Sequence, residues 1–522
     1  MSDCQITPQH SVLYNIDITY HIMQCLAPET ESFSKVIPSP RENLGTLAQC
    51  ARTCKSLAEP ATALLWRSLP SLIPLLSILS GFHSIRVDGE EQHKAMIHIS
   101  EPKLCWTISG NISDSDRERF MHYARFVWAL SIGSDHIHRS VMTILVVNFG
   151  REFLPRLRSV NCHSTACAHV LLPFLTPSLT SLYWEDRNSN GDAKLAVFSE
   201  KIASQISTLA PFLEELNVPR CNNTSVFFSF GKFERLRSLD ISGTPRVLGW
   251  TVLQAIGSLE YLTRVSIPSA VIGFQPGDHC RGFQALTDLT VAHRIQGTQL
   301  LRLITPPKLR RLNFRGGLSL TDFWTTKEIR EGVEVCLSKC AGTFESFVID
   351  EFEPRTVEPL LATAMCFFHM KNLRTFYCSR GMKTMSLTND GLRAMGRAWP
   401  CLEELVVDWS TANRLDPDDH VPSLQGVIDL AHACPRLKRI SLSFVRLVLA
   451  PREDPYPELV HGLEELSLSK AIVREPVNIA RVIDRMFPRV KLDPEQLQPG
   501  EKISDLFRVL HLEKRARLAG ES

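Results

Sequence analysis

A short apolar phrase recurs twelve times between residues 157 and 468, and it constrains the fold of this 522-residue chain more than any other feature. In its full form it has an apolar residue, two mostly polar positions, a second apolar residue, one further position and a third apolar residue. Successive copies lie about 28 residues apart, the length of a unit with one strand, a loop and one helix. The copies begin at Leu157, Leu179, Leu213, Leu236, Leu262, Leu286, Leu309, Phe344, Leu373, Leu402, Leu437 and Leu463.

The alternating apolar positions predict a short strand that buries one face, while the neighbouring copy supplies its hydrogen-bond partners. Between the phrases, apolar residues at helical spacing predict helices that cover the other side of the sheet. Leu392 and Met395 are an example, behind a start signal at Thr388. A proline such as Pro435 would end a helix just before the next strand. We therefore predict an α/β fold with one continuous parallel sheet, whose first strand lies in Tyr123–Ile132.

Two stretches carry a family resemblance. Residues 387–407 and 424–442 resemble leucine-rich repeats of the cysteine-containing type, in which a helix ends near a Cys-Pro pair such as Cys434-Pro435. The resemblance covers roughly residues 121–492. It implies a curved solenoid with the parallel sheet on its concave face.

The N-terminal segment has helical patterns and no strand phrase. Ile18, Ile22 and Met23 share one helical face, and helical spacing resumes after a proline- and serine-rich stretch at residues 27–43. The sequences Cys-Ala-Arg-Thr-Cys-Lys-Ser-Leu at 50–57 and Leu-Leu-Trp-Arg-Ser-Leu at 64–69 resemble the F-box. The combination is similar to F-box proteins with leucine-rich repeats that are common in mushroom-forming fungi. It implies a small three-helix F-box-like unit at residues 11–75.

The resemblance also implies a function. An F-box binds a Skp-type adaptor and, through it, a cullin, so the chain would be a non-enzymatic substrate-recognition subunit of an SCF-type ubiquitin ligase that directs a target protein to proteasomal degradation. The expected adaptor-binding residues are Leu13, Ile18, Ile22, Met23, Leu26, Leu47, Cys50, Cys54 and Trp66. The alternative is a leucine-rich-repeat scaffold without a ligase role, in which the first 75 residues cap the open end of the solenoid.

The target protein is expected to bind the non-leucine positions of the strands, which lie on the concave face. Arginines around Arg311 are followed along the chain by carboxylates around Glu404, so we predict a divided surface that binds a partner of complementary charge. The expected substrate-binding residues are Glu215, Asn217, Asp240, Arg264, Arg311, Asn313, Arg315, Tyr377, Glu404, Asp408, Trp409 and Arg439.

Composition excludes several other classes. The net charge is +2 and no basic cluster stands out, so no nucleic-acid partner is expected. No run of 18 apolar residues occurs, and the first ten residues have neither a basic start nor an apolar segment, so we expect no membrane span and no secretory signal. The 15 cysteines have no framework spacing, which favours reduced thiols and a cytoplasmic or nuclear location.

No catalytic residue, metal or cofactor is expected. Cys162, His163, Cys167 and His169 are close in sequence, but their spacing does not match a zinc knuckle. Adjacent glutamates such as Glu403 and Glu404 would point to opposite sides of a strand. The predicted organisation is a tail at 1–10, the F-box-like unit at 11–75, a linker at 76–120, the solenoid at 121–492 and a cap or tail at 493–522.

Overall fold

The computed structural model describes most of the chain. The described residues are 15–26, 41–87, 103–133, 137–163, 171–185, 204–220, 231–242, 247–268, 270–275, 277–292, 299–316, 326–340, 342–350, 360, 364–379, 387–408, 421–448, 461–473 and 476–490. The predicted tails at 1–10 and 493–522 lie outside them. The chain forms two compact units, unit 1 (Met1–Leu239) and unit 2 (Asp240–Ser522).

Unit 1 begins with three helices, Ile16–Gln24, Arg41–Thr53 and Lys55–Arg67, which we call the three-helix unit. The side chain of Asn15 caps the first helix, because its oxygen accepts hydrogen bonds from the backbone amides of Asp17 at 3.0 Å and Ile18 at 3.2 Å. The three helices share a small core made of Met23, Leu47, Ala61 and Leu64.

The third helix runs directly into a strand. Strand β1 (Ser68–Leu69) pairs in parallel with a later strand, Ala129–Ile132, so that Leu69 lies opposite Leu130. The sheet of unit 1 thus starts with residues that the sequence pattern placed in the F-box motif.

The predicted linker at 76–120 contains regular structure. Strands β2 (Phe82–Val87) and β3 (Lys103–Ile108) form an antiparallel pair, and a helix follows at Asp114–Ala124. The side chain of Ser113 caps this helix, and Asp114 and Asp116 in its first turn favour it electrostatically. The helix therefore includes Tyr123, and the strand predicted over Tyr123–Ile132 is shortened to β4 (Ala129–Ile132).

The rest of unit 1 follows the repeat pattern. From β1 and β4 the parallel sheet continues through neighbouring strands, with helices at Arg139–Phe149 and residues 204–209 between them. The successive strands are β5 (Ser159–Cys162), β6 (Ser181–Glu185), β7 (Glu215–Arg220) and β8 (Ser238–Asp240), whose last residue belongs to unit 2.

Unit 2 has the same design. A parallel pair, β9 (Val247–Gly249) and β11 (Ala270–Ile272), lies apart from the main sheet. The helices are Trp250–Gly257, Gln299–Leu303, Thr326–Cys340, Asn389–Ala398, Leu424–Ala433 and Pro476–Met486. The main sheet runs in the order β10 (Arg264–Pro268), β12 (Asp288–Ala292), β13 (Arg311–Arg315), β14 (Ser346–Asp350), β15 (Thr375–Ser379), β16 (Glu404–Asp408), β17 (Arg439–Leu447) and β18 (Glu465–Val473), with every pair parallel.

The register confirms the sequence interpretation of the repeats. The first residue of each of the twelve phrases is at most 1% exposed, and the second lies within a strand. Strand neighbours place equivalent positions side by side, as Leu312, Phe347 and Phe376 show. A long parallel sheet with helices between its strands is the architecture expected of a leucine-rich-repeat solenoid.

A chain of three hydrogen bonds links four successive repeats of unit 2, just before their strands begin. The indole nitrogen of Trp399 donates to the carbonyl of Phe367 at 3.0 Å, and the thiol of Cys434 donates to the carbonyl of Trp399 at 3.3 Å. The Nε2 of His461 donates to the carbonyl of Cys434 at 3.1 Å. We call these three side chains the helix-end ladder. Burial raises the pKa of Cys434 to about 12, so its thiol keeps the donated proton.

Candidate interaction surfaces

The three-helix unit leaves apolar side chains on its surface. Ile18 is 40% and Ile22 is 47% exposed, and because they are four residues apart they lie on the same face of the first helix. Leu44, near the start of the second helix, is 39% exposed. The same helices bury Met23 and Leu47 at 5% and 0% exposure. The unit thus has a completed core and a separate apolar surface.

The predicted adaptor-binding residues divide between these two locations. Ile18 and Ile22 are on the surface. Met23 and Leu47 lie in the core of the unit instead, because their side chains fill the space between the helices, and in this conformation they offer nothing to a partner. Leu26 and Cys50 are partly buried against that core.

Three further predicted residues have different surroundings. Cys54 is exposed, and a hydrogen bond with Ser56 at 3.1 Å lowers the pKa of its thiol. Trp66 is partly buried and packs on Tyr123, with ring centroids 4.6 Å apart. Leu13 lies outside the described residues.

The contacts of Trp66 belong to a junction between the third helix and the segment that runs from the helix Asp114–Ala124 into β4. Arg67 lies over the ring of Trp128 at 5.0 Å, and Arg125 forms an ion pair with Glu59 at 3.1 Å. Trp66 is therefore part of the attachment of the three-helix unit to the sheet of unit 1.

The predicted target-binding residues lie on the polar side of the strands. In β13, the buried Leu312 and Phe314 alternate with Arg311, Asn313 and Arg315, which face the other way. The same alternation applies to Glu215 and Asn217 in unit 1, and in unit 2 to Asp240, Arg264, Tyr377, Glu404, Asp408 and Arg439. Trp409 lies outside the described residues.

The predicted division into a basic and an acidic surface does not hold, because neighbouring strands neutralise the charges. Arg311 forms an ion pair with Asp288 at 3.1 Å. Arg439 lies between two carboxylates, at 3.1 Å from Glu404 and 3.0 Å from Glu465. The carboxylate of Asp408 accepts a hydrogen bond from the hydroxyl of Ser443, as that of Asp350 does from Ser379 at 2.8 Å. The face carries alternating charges with little local excess.

Buried amide oxygens form a second feature of this face. The side-chain oxygens of Asn161 and Asn217 in unit 1 and of Asn313 in unit 2 have no solvent contact and no hydrogen-bond partner within the described part of the chain. Asn161 was not among the residues predicted from the sequence, although it has the same sequence feature as the other two. Each is an asparagine at the third position of a repeat strand. Each such oxygen costs roughly 1–3 kcal/mol of stability.

The structure also describes part of the Cys-His cluster and one of the glutamate pairs. Cys162 is buried and His163 lies 3.6 Å from Glu185, while Cys167 and His169 are outside the described residues. Within the residues that the structure describes, no group of three His, Cys, Asp or Glu side chains could hold a metal ion. Glu403, half of a glutamate pair, forms ion pairs with Arg374 at 3.2 Å and Lys438 at 3.3 Å.

One cavity of about 360 Å³ lies in unit 2, beside the residues that lead into β13, β14, β15, β16 and β17. The guanidinium groups of Arg310, Arg374 and Arg436 line it together with Glu345. Arg374 and Arg436 were not predicted from the sequence. The feature that could have identified them is their position, since each is directly next to the first apolar residue of a repeat phrase.

No helix in the described ranges is long and apolar enough to cross a lipid bilayer.

Comparisons with known proteins give structural neighbours only. No protein-family model matches the chain, and no curated protein matches it. Among solved structures, it is similar to a TLR13–ssRNA13 complex, at 13% identity and a TM-score of 0.30, over 66% of this chain and 49% of that one. It is also similar to the Rad7–Elc1 complex of yeast, at 14% identity and a TM-score of 0.29, over 58% of this chain and 83% of that one. The chain thus spans about half the length of the first of these proteins.

Proposed function

We propose that this chain is a non-enzymatic substrate-recognition subunit of an SCF-type cullin-RING ubiquitin ligase. In this proposal the three-helix unit binds a Skp-type adaptor and, through it, a cullin. The repeats bind a target protein and hold it near the subunits that transfer ubiquitin, so that the contribution of this chain to catalysis is a high local concentration of the target.

The observation that carries the proposal is the exposed pair Ile18 and Ile22. The first helix is only nine residues long, yet it exposes two large isoleucines at 40% and 47% while Met23 beside them is buried. Fully burying such a side chain contributes about 1.5–3 kcal/mol, so covering the exposed part of each contributes roughly 1 kcal/mol before association costs. The resemblance of residues 50–57 and 64–69 to the F-box assigns a Skp-type adaptor as the partner that covers them.

The test is co-purification of the full chain with a Skp-type adaptor. We expect the wild-type chain to form a stoichiometric complex and Ile22→Asp to lose it, because the aspartate would place a charge in an apolar contact. Ile22→Asp should fold normally, since the side chain is exposed.

The matched control is Val147→Asp. Val147 is 76% exposed on another helix of unit 1, Arg139–Phe149, so the two variants add the same charge to comparable surfaces. Adaptor binding should survive in this control. If the wild-type chain binds no adaptor, or if the two variants bind equally, the ligase proposal is wrong. Trp66→Ala is a poorer probe because it also removes the stacking on Tyr123.

The junction supports the alternative function, a scaffold in which the three-helix unit caps the repeats. Strand β1 covers the edge of β4, and Arg67 and Trp66 pack on Trp128 and Tyr123. Deleting residues 1–75 distinguishes the two functions only in part, because it also removes β1. Deleting residues 1–40 keeps β1. The ligase proposal predicts that the wild-type chain binds the adaptor and that this deletion abolishes the complex. The scaffold alternative predicts that neither chain binds the adaptor.

A further inference from the structure

The cavity of unit 2 is built from equivalent positions of successive repeats. Thr343, Asn372 and Arg436 each precede the first apolar residue of a phrase, whereas Arg310 and Arg374 each follow one. Because each repeat stacks on the next, these positions form two neighbouring rows along the edge where the strands begin. The cavity of about 360 Å³ lies along those rows.

Hydrogen bonds between repeats hold the lining in place. The hydroxyl of Thr343 donates to the carbonyl of Leu309 at 2.8 Å, one repeat earlier. The side-chain amide of Asn372 donates to the carbonyl of Gly342 at 3.0 Å, again one repeat earlier. Since backbone carbonyls fix both side chains, the cavity is formed before any ligand binds.

The charges of the cavity are unevenly paired. Arg310 lies 3.7 Å from Glu345, and Arg374 lies 3.2 Å from Glu403. Arg436 is exposed and lines the same cavity, but it forms no ion pair with any residue that the structure describes. Among the residues that the structure describes, two of these guanidinium groups thus have a carboxylate partner and the third has none.

We infer that this cavity binds an acidic segment of a partner protein, with an aspartate or glutamate carboxylate paired to Arg436. A guanidinium group and a carboxylate form two parallel hydrogen bonds, and the other two arginines already show that this edge pairs arginine with carboxylate. The three arginines face two carboxylates of this chain, Glu345 and Glu403, so the excess positive charge that remains also attracts a neighbouring carboxylate of the same segment. The identity of the partner as the target of a ligase rests on the proposed function. Binding of an acidic segment at this cavity does not depend on that function.

The experiment uses the full chain and two fluorescent, degenerate peptide libraries, one with a fixed Glu-Glu pair at its centre and one with Gln-Gln. Fluorescence anisotropy in 50 mM NaCl should show the Glu-Glu library binding about tenfold more tightly, as expected for charged hydrogen bonds. Most of this preference should disappear in 500 mM NaCl, because salt screens exposed charges.

The decisive variant is Arg436→Ala, which should lower binding of the Glu-Glu library about tenfold. Arg436→Lys should restore part of it, since lysine keeps the charge but not the planar pair of donors. The matched control is Arg235→Ala. Arg235 precedes the first apolar residue of its own phrase, as Arg436 does, but it lies in unit 1 and packs over Phe212 at 4.5 Å. This control should bind like the wild-type chain.

Several outcomes would overturn the inference: equal binding of the two libraries, or equal effects of Arg436→Ala and Arg235→Ala. A third library with a fixed phosphoserine tests the other common anion. If it binds more than tenfold more tightly than the Glu-Glu library, the ligand is a phosphate and the carboxylate assignment is wrong. Adaptor binding, measured on the same Arg436→Ala variant, should be normal, so failure of the ligase proposal and failure of this inference are separable.

Discussion

The repeats of unit 2 and the three-helix unit differ in where they place their apolar residues. In unit 2 the phrase residues are buried between neighbouring repeats, and the polar face of the main sheet carries paired charges such as Arg311 with Asp288 and Arg439 with Glu404. The three-helix unit buries Met23 and Leu64 but leaves Ile18 and Ile22 outside. Under the proposed function, the repeats would therefore bind a target mainly through charge and hydrogen bonds, whereas the helices would bind the adaptor through apolar contact.

The largest expected effect is in unit 2. Trp399→Ala should lower the free energy of unfolding by about 3–5 kcal/mol, because it removes a fully buried ring that stacks on Phe376 and also breaks the helix-end ladder. Trp399→Phe keeps most of the ring and should cost about 1 kcal/mol for the lost hydrogen bond to Phe367. Urea unfolding monitored by circular dichroism measures both. Similar losses for the two variants would show that packing matters less here than the hydrogen bond.

A paired substitution tests the comparison within the three-helix unit. Leu64→Ala should cost about 2–4 kcal/mol, since Leu64 is 5% exposed and belongs to the core. Ile22→Ala should change stability by less than about 0.5 kcal/mol, because that side chain is 47% exposed. Thermal unfolding of the two variants measures the contrast. Equal losses would mean that the isoleucine is held inside the unit and is no docking surface.

A smaller effect follows from the pKa of His461 in the helix-end ladder. Its Nδ1 accepts the amide of Leu463 at 3.1 Å while its Nε2 donates to Cys434, so the neutral ring is the form that fits. Burial, helped by nearby His432, lowers the pKa of His461 below its usual 6.5. The unfolded chain then binds the proton more readily than the folded chain does. The contribution of neutral His461 to the free energy of unfolding is therefore fully present above pH 6.5 and falls as the pH drops towards the lowered pKa.

Melting temperatures between pH 8 and pH 5 measure this dependence. Substituting His461 with Gln should flatten the acid side of the profile relative to the wild-type chain. His279→Gln is the matched control, because it makes the same substitution at an exposed position outside the helix-end ladder. If the melting temperature depends on pH equally in both variants, His461 is not the cause of the loss of stability in acid.

The smallest expected effect concerns the charged face of the sheet. Arg439→Ala should cost at most about 1 kcal/mol even though Arg439 contacts both Glu404 and Glu465, because exposed ion pairs contribute little. The difference from the wild-type chain should shrink further in 0.5 M NaCl, as urea titrations at two salt concentrations would reveal. A loss comparable to that of Trp399→Ala would mean that this face contributes to folding as much as the core does.

The strands of the repeats were predictable because burial of one face leaves a two-residue period in the sequence. Residues such as Leu405 and Val407 carry that signal directly. Strand β1 was not predictable, since two residues show no period and the sequence Leu-Trp-Arg-Ser-Leu already matched another motif. The helix that reaches Ala124 was missed because apolar residues near Tyr123 also fit a strand, while the cap at Ser113 lies ten residues earlier.

The candidate sites were predictable only in part. Residue type and position placed Ile22 and Arg311 at surfaces, but burial inside a three-helix core separates Met23 from Ile22, although they are neighbours in sequence. The partners of the charged residues come from strands more than twenty residues away, as for Arg311 and Asp288. Such pairings depend on register, which no local pattern specifies. Arg436 could not be predicted for the same reason, because its cavity forms only when five successive repeats are stacked.

The two-residue strand that joins the helices to the sheet has a consequence for how this chain can diverge. Backbone hydrogen bonds between Ser68–Leu69 and Ala129–Ile132, together with the contacts of Trp66 with Tyr123 and of Arg67 with Trp128, set the direction in which the third helix leaves the sheet. The sequence between Leu69 and Tyr123 can therefore change in length during evolution without turning that helix, as long as the strand pair and these two contacts are kept. A designer who inserts a reporter peptide in this stretch has the same two conditions to meet.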